Sequence, residues 1–119
     1  MAGPVSSVKE YFETLPDRFR KEAAKGVTAV FQFELSGHGG GLYFAAVDGE
    51  QLTVTEGSHV SPTVTLKMAA SEYVKMANGT LNGELAFLTG KLHVGGDLAM
   101  AVKMRSLFPP GHVGRRADR

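Results

Sequence analysis

The sequence predicts an α+β fold, a mainly antiparallel five-stranded sheet covered on one face by helices. Three observations carry this expectation. At residues 27–35 and 64–68 apolar side chains recur at every second position. Before and after these segments they recur at the three-and-four spacing of helices, and an Asp48-Gly49 turn joins two of the extended runs directly. The chain has 119 residues, the length of one domain, and its 43% apolar and 21% charged content is that of an ordinary globule able to bury a core without staples.

The elements follow in order. Ser7 with Glu10 reads as a capping box, and Val8, Tyr11, Phe12 and Leu15 share one helical face, with Pro16 expected to end the helix. Asp17 is placed to cap a second short helix through Phe19, Ala23 and Ala24, stopped by Gly26. From there Val27, Ala29, Phe31, Phe33 and Leu35 alternate with Thr28, Gln32 and Glu34, a strand with one buried side and one polar side. Residues 42–47 are apolar on both faces, and the hairpin turn leads into 51–55, so the first three strands run antiparallel. Val64, Leu66 and Met68 alternate in a fourth strand.

Ser71 is expected to cap a helix through Tyr73, Val74 and Met76 that ends at Asn78-Gly79, and Asn82 to cap another through Leu85, Phe87 and Leu88. Leu92 and Val94 make a short fifth strand whose His93 points to solvent, and Asp97 caps a last helix that Pro109-Pro110 stops. The final residues form a polar, basic tail, expected to be disordered.

Composition excludes several functions. No cysteine is present, which removes disulfides, thiolate metal sites and a Cys nucleophile. The net charge is +1 with dispersed basic residues, so nucleic acid is not the expected partner. His38, His59, His93 and His112 lack metal-site spacing, no nucleophile elbow or phosphate loop occurs, and the glycines at 37–41 join two strands rather than open a helix. No catalytic residues, metal or cofactor are therefore expected. The start lacks a secretory signal and no run is long and apolar enough for a membrane span, so the simplest expectation is a cytoplasmic protein.

What remains is an apolar surplus. The last helix carries two apolar rows, Leu98, Ala101 and Val102 with Arg105, and Met100, Met104, Leu107 and Phe108. If the first docks on the sheet, the second faces a ligand pocket, the core or another subunit. Flexible, polarizable Met side chains suit a pocket for ligands of varied shape. The helix at 82–89 is likewise apolar on more than one side, and Met68, Met76 and Leu81 are its neighbours in chain order.

Residues 76–104 also carry a recognisable pattern. Ala86-Phe87, Gly90-Lys91-Leu92, Val94, Gly96-Asp97 and Ala101-x-Lys103 resemble the C-terminal motif of the sterol carrier protein 2 family. Upstream, Phe31-x-Phe33, Val47-Asp48-Gly49, Pro62-x-Val64-x-Leu66 and Met68-Ala69-x-Ser71 extend the likeness over about residues 5–108, leaving 109–119 as the tail. The resemblance implies a non-catalytic domain with an apolar ligand tunnel at the helix-sheet seam, which binds and transfers a fatty acid, fatty acyl-CoA, phospholipid or sterol-like molecule. It implies a lining drawn from Met68, Met76, Leu81, Phe87, Leu88, Met100, Met104 and Phe108.

The partner it implies is a small-molecule lipid, with room for transient membrane contact, for a monomer or a homodimer, and alternatively for an interaction module beside lipid- or quinone-metabolising enzymes. The C-terminal Ala117-Asp118-Arg119 is not a Ser-Lys-Leu peroxisomal address, which fits a bacterial-type stand-alone member. Tyr43 and Ser61-Pro62 depart from the family pattern and leave the ligand unnamed.

Overall fold

The computed structural model describes residues 4–110; the expected tail lies outside the described residues from 111 onward. Helix α1 (Val8–Arg18) and a 3-10 turn at Lys21–Ala24 lead into strands β1 (Thr28–Ser36), β2 (Gly41–Asp48), β3 (Gln51–Glu56) and β4 (Val64–Ala69). Helices α2 (Ala70–Ala77) and α3 (Gly83–Leu88), strand β5 (His93–Gly96) and helix α4 (Leu98–Leu107) complete the order.

The strands form one sheet, ordered β3-β2-β1-β4-β5. The β1–β2 and β2–β3 pairs are antiparallel as expected and β4–β5 is antiparallel too, but β1 and β4 are parallel, so the sheet is mixed. The reason is topological. Tyr43 pairs with both Glu56 and Phe33, while Phe33 pairs with Leu66, so β3 ends near the level at which β4 begins. Residues 57–63 need only cross β2 and β1, roughly three strand spacings or about 14 Å.

That crossing covers part of the second sheet face. Gln32, expected on the polar open side, is buried at 2% exposure. Its Nε2 donates to Tyr43 O and Gly57 O, each at 3.0 Å, and its Oε1 accepts from His59 N at 2.8 Å. The His59 ring meets Phe44 edge to face at 5.1 Å. A polar side chain thus sits in the interior with its bonds satisfied, the condition under which burial is tolerated. On the opposite face Phe31, Phe33, Val47, Val64 and Leu66 meet Phe12, Leu15, Tyr73, Leu107 and Phe108 in one core.

Several local signals act as expected. Ser7 Oγ accepts from Glu10 N, Asn82 Oδ1 from Leu85 N and Asp97 Oδ1 from Met100 N. Others are displaced. The Glu10 carboxylate reaches Ser6 N and Ser6 Oγ rather than closing on Ser7. Pro16 lies inside α1 instead of ending it, because Phe19 N still bonds Leu15 O and both Leu15 and Arg18 are buried. Asp17 therefore caps nothing, and only the 3-10 turn follows. Ser71 is not a cap either: β4 runs straight into α2, Ala69 takes the N-cap position, and Ser71 is already in the first turn.

Candidate functional site

The turn after α2, helix α3 and the face of α4 that looks back at them stand apart enough to leave a cavity of about 830 Å³ between them and the sheet. Leu66 of β4, Val94 of β5 and the intervening Leu92 supply its sheet-side wall. Met76 and Ala77 of α2, with Leu81, Leu85, Phe87 and Leu88 around α3, form a second wall. Leu98, Ala101, Val102 and Met104 of α4 close it, with Phe108, Pro109 and Pro110 beyond. At its buried end are Tyr11 of α1 and Tyr73 of α2.

Local chemistry holds these walls apart. Asn82 caps α3, and beyond α3 Lys91 N and Leu92 N both donate to Ala86 O, turning the chain sharply towards β5. The Lys91 ammonium then reaches α2, 3.4 Å from Glu72 Oε1, while Lys75 lies 3.3 Å from Glu72 Oε2. Hydrogen bonds from Lys75 and then Lys91 keep the Glu72 carboxyl below its ordinary value. At the far end Arg20 N donates to Leu107 O at 2.8 Å, anchoring the end of α4.

Six of the eight anticipated residues, Met76, Leu81, Phe87, Leu88, Met104 and Phe108, border the cavity; Met68 and Met100 do not. Met68 is buried on the core face of β4, and at the strand's end it borders a separate shallow groove with Lys67, Lys91 and His93. The rows of α4 do not divide as expected, since both contribute to the cavity: Met104 and Phe108 of the second row border it together with the first. The row of Leu98, Ala101, Val102 and Arg105 faces the cavity, whereas Met100 packs on the core and Leu107 is buried. Tyr11 and Tyr73 escaped notice because each fits its helix's core stripe, and nothing in that spacing separates a core wall from a cavity wall.

The mouth is apolar as well. Among the described residues seven large apolar side chains are exposed, and five of them, Leu85, Phe87, Leu88, Leu98 and Val102, line this cavity. Leu88 and Val102 reach 77% and 72% exposure. Concentration of apolar surface on one patch marks a binding face. Among the described residues no group of three or more His, Cys, Asp or Glu could hold a metal ion.

Comparison with known proteins decides the family. The model of the SCP-2 sterol transfer family matches residues 8–109. The chain belongs to the SCP-2 sterol transfer family. It is 35% identical over 103 residues to mouse hydroxysteroid dehydrogenase-like protein 2, a match covering 86% of this chain and 21% of that one. The chain thus spans about a fifth of that relative's length, and the likeness concerns its SCP-2 part. The solution structure of palmitated sterol carrier protein 2-like 2 from Aedes aegypti superposes with a TM-score of 0.67 at 26% identity, over 91% of this chain and 99% of that one. A sec-alkylsulfatase from Pseudomonas shares the fold at a TM-score of 0.74 and 17% identity, across 91% of this chain and 17% of the enzyme. The SCP-2 fold therefore occurs both as a protein of this length and as part of much longer chains.

Proposed function

We propose that this SCP-2 domain binds a lipid with a long hydrocarbon portion in the cavity between α3, α4 and the sheet, and transfers it without chemical change. The cavity is the ligand tunnel of this reading, and Met76, Leu81, Phe87, Leu88, Met104 and Phe108 are its lipid-contacting residues. The observation that carries it is the cavity itself: about 830 Å³, apolar walls, and a mouth rimmed by exposed apolar side chains. Were that volume enclosed and dry it would cost roughly 20 kcal/mol at about 24 cal/mol per Å³, more than a small domain's whole stability. Water or a ligand must occupy it. Burying about ten methylenes would contribute on the order of 8 kcal/mol before ordering costs, the scale of micromolar binding. The palmitated relative supports a single-chain fatty acid or a molecule of similar shape.

The rim suggests how a ligand enters. Among the described residues no helix is long and apolar enough to cross a membrane, so lipid exchange would occur through transient contact of Leu88, Leu98 and Val102 with a bilayer. A second reading rests on the same rim and on the longer relatives: the apolar face would dock on a lipid-metabolising enzyme or on a second copy of this chain. Native mass spectrometry of the purified protein, followed by solvent extraction, distinguishes the two. A retained lipid mass on a monomer supports the carrier; a bare protein that refuses added palmitate and associates with rising concentration supports docking.

A further inference from the structure

The polar side chains of the cavity lining fall into two groups. Thr80, Asn82, Glu84 and Arg105 stand at the solvent-exposed mouth, where Arg105 pairs with Glu84 at 3.9 Å. Tyr11 and Tyr73 stand at the opposite, buried end. Their rings meet edge to face with centroids 5.1 Å apart, and both side chains are buried.

Each hydroxyl carries a proton to donate, and among the described residues no hydrogen bond takes either. Tyrosine at a core position ordinarily pairs its hydroxyl, because an unpaired donor in a dry surrounding is costly. Phenylalanine would fill the same space without that cost, so the spare protons at a cavity wall point to an acceptor that arrives from outside. Beside the pair, Arg18 of α1 is buried at 6% exposure, with its guanidinium carbon 5.5 Å from the centre of the Tyr11 ring. Its positive charge acts on both phenols, and in a low-dielectric interior the same field reaches whatever lies against them.

We propose that Tyr11 and Tyr73 form a head-group site at the buried end of the cavity, which receives the carboxylate of a fatty acid through the spare phenol protons while the acyl chain runs out towards α3 and α4. The proposal rests on the lipid-binding reading above and adds a ligand class and a direction. An unpaired carboxylate cannot be carried into an apolar site, but one that meets a donor and a nearby cation can. Within the lining, buried hydroxyl donors occur at this end, with Arg18 behind the Tyr11 ring rather than on the wall. The mouth offers the opposite chemistry, since Leu85, Leu88 and Val102 suit the hydrocarbon end. A methyl ester and an alcohol of the same length each have the chain and an acceptor but no charge.

Competition of palmitate, methyl palmitate and hexadecanol against a fluorescent fatty acid on the full chain tests this. Palmitate is expected to bind about tenfold or more tightly than either neutral lipid, the usual effect of one charge-assisted hydrogen bond. Tyr73→Phe and Tyr11→Phe should each remove most of that preference, weakening palmitate far more than methyl palmitate, a selectivity that a purely structural role would not produce. Palmitate labelled at its carboxyl carbon, bound to the unmutated protein, should show the head end near tyrosine ring protons by NMR, independently of how the variants fold. Equal binding of all three lipids, or label contacts to Leu88 and Val102 instead of tyrosine, overturns the head-group site yet leaves lipid binding standing. Failure of all three lipids to bind overturns both.

Discussion

Asn78, at the end of α2, holds Val5 by both sides of its amide: Val5 N donates to Asn78 Oδ1 at 2.7 Å, and Asn78 Nδ2 donates to Val5 O at 2.8 Å. This bracket ties the segment before α1 to the helix that carries Tyr73 and Met76, so it fixes the spacing of two cavity walls. Asn78→Ala would leave both Val5 groups unpaired in a half-buried setting. The expected cost is about 1–3 kcal/mol, read from urea unfolding. Asn78→Asp should not rescue it, because the Val5 carbonyl would then face an oxygen. A loss within about 0.5 kcal/mol for the alanine variant, the range of ordinary surface substitutions, would show that the bracket is ornamental.

Gln32 makes the crossing of residues 57–63 possible, since its amide satisfies Gly57 O and His59 N at once. Gln32→Leu matches the buried size but strands both groups, so a loss of roughly 2–3 kcal/mol is expected. Amide exchange should quicken first at His59 and Gly57. If protection is lost evenly across the sheet instead, the crossing has no separate stability.

Gly96 has φ +91°, and a Cβ there would lie 2.3 Å from Thr63 O. Neither the turn into α4 nor the approach of β5 to β4 can absorb a side chain without moving backbone. Gly96→Ala is expected to cost several kcal/mol or to release β5, withdrawing Val94 from the cavity wall. A folded variant with β5 amides as protected as before would refute this.

How far the sequence revealed all this depends on the range of the interaction. Asn82 and Asp97 announce their caps because capping involves residues three apart, and Asp48-Gly49 announces its hairpin for the same reason. The parallel pairing of β1 with β4 left no trace, since alternation of Val64, Leu66 and Met68 reads identically in either direction. Ser71 misled because the last extended residue before α2 is Ala69, which takes the N-cap place and leaves Ser71 inside the first turn. In α4 the Asp97 cap located the helix, but apolar residues on both sides left its rotation undetermined, and the choice between Met100 and Val102 fell to which of them packs on the core. Six anticipated residues border the cavity for a simpler reason: α3 and its flanking turns have little else to face.

The rotation of α4 can itself be checked. Val102→Glu and Leu88→Glu place charges on side chains already in water, so stability should change by no more than about 0.5 kcal/mol. Palmitate uptake from vesicles should nevertheless fall severalfold, because the rim would no longer meet apolar surface. Met100→Ala should do the reverse, costing roughly 1–3 kcal/mol of stability for a half-buried side chain with uptake unchanged. If Met100→Ala weakens uptake while Val102→Glu does not, the helix is turned the other way in solution.

The ionisable groups set a stability window with two different edges. Hydrogen bonds from the backbone and side chain of Ser6 hold Glu10 below its ordinary value of 4.5, and those from Lys75 and Lys91 do the same for Glu72. The folded state therefore binds these protons less tightly than the unfolded chain. Their contribution is present above about pH 4.5 and lost as pH falls through the depressed values. Burial, foremost, raises Tyr11 and Tyr73 above the ordinary 10.0, Tyr73 the further of the two. Here the folded state keeps its protons longer, so stability present below pH 10 is lost as pH rises towards the raised values. Tyr43 is half-buried and shifted upwards by burial and then by Glu56 and Glu13. Tyrosinate absorbance followed against circular dichroism should accordingly show one phenol ionising while the fold persists and two ionising only as it is lost. Three phenols ionising together in a protein that keeps its circular dichroism would mean that hydroxide reaches the buried end of the cavity freely, and a site that open could not exclude water from a bound head group.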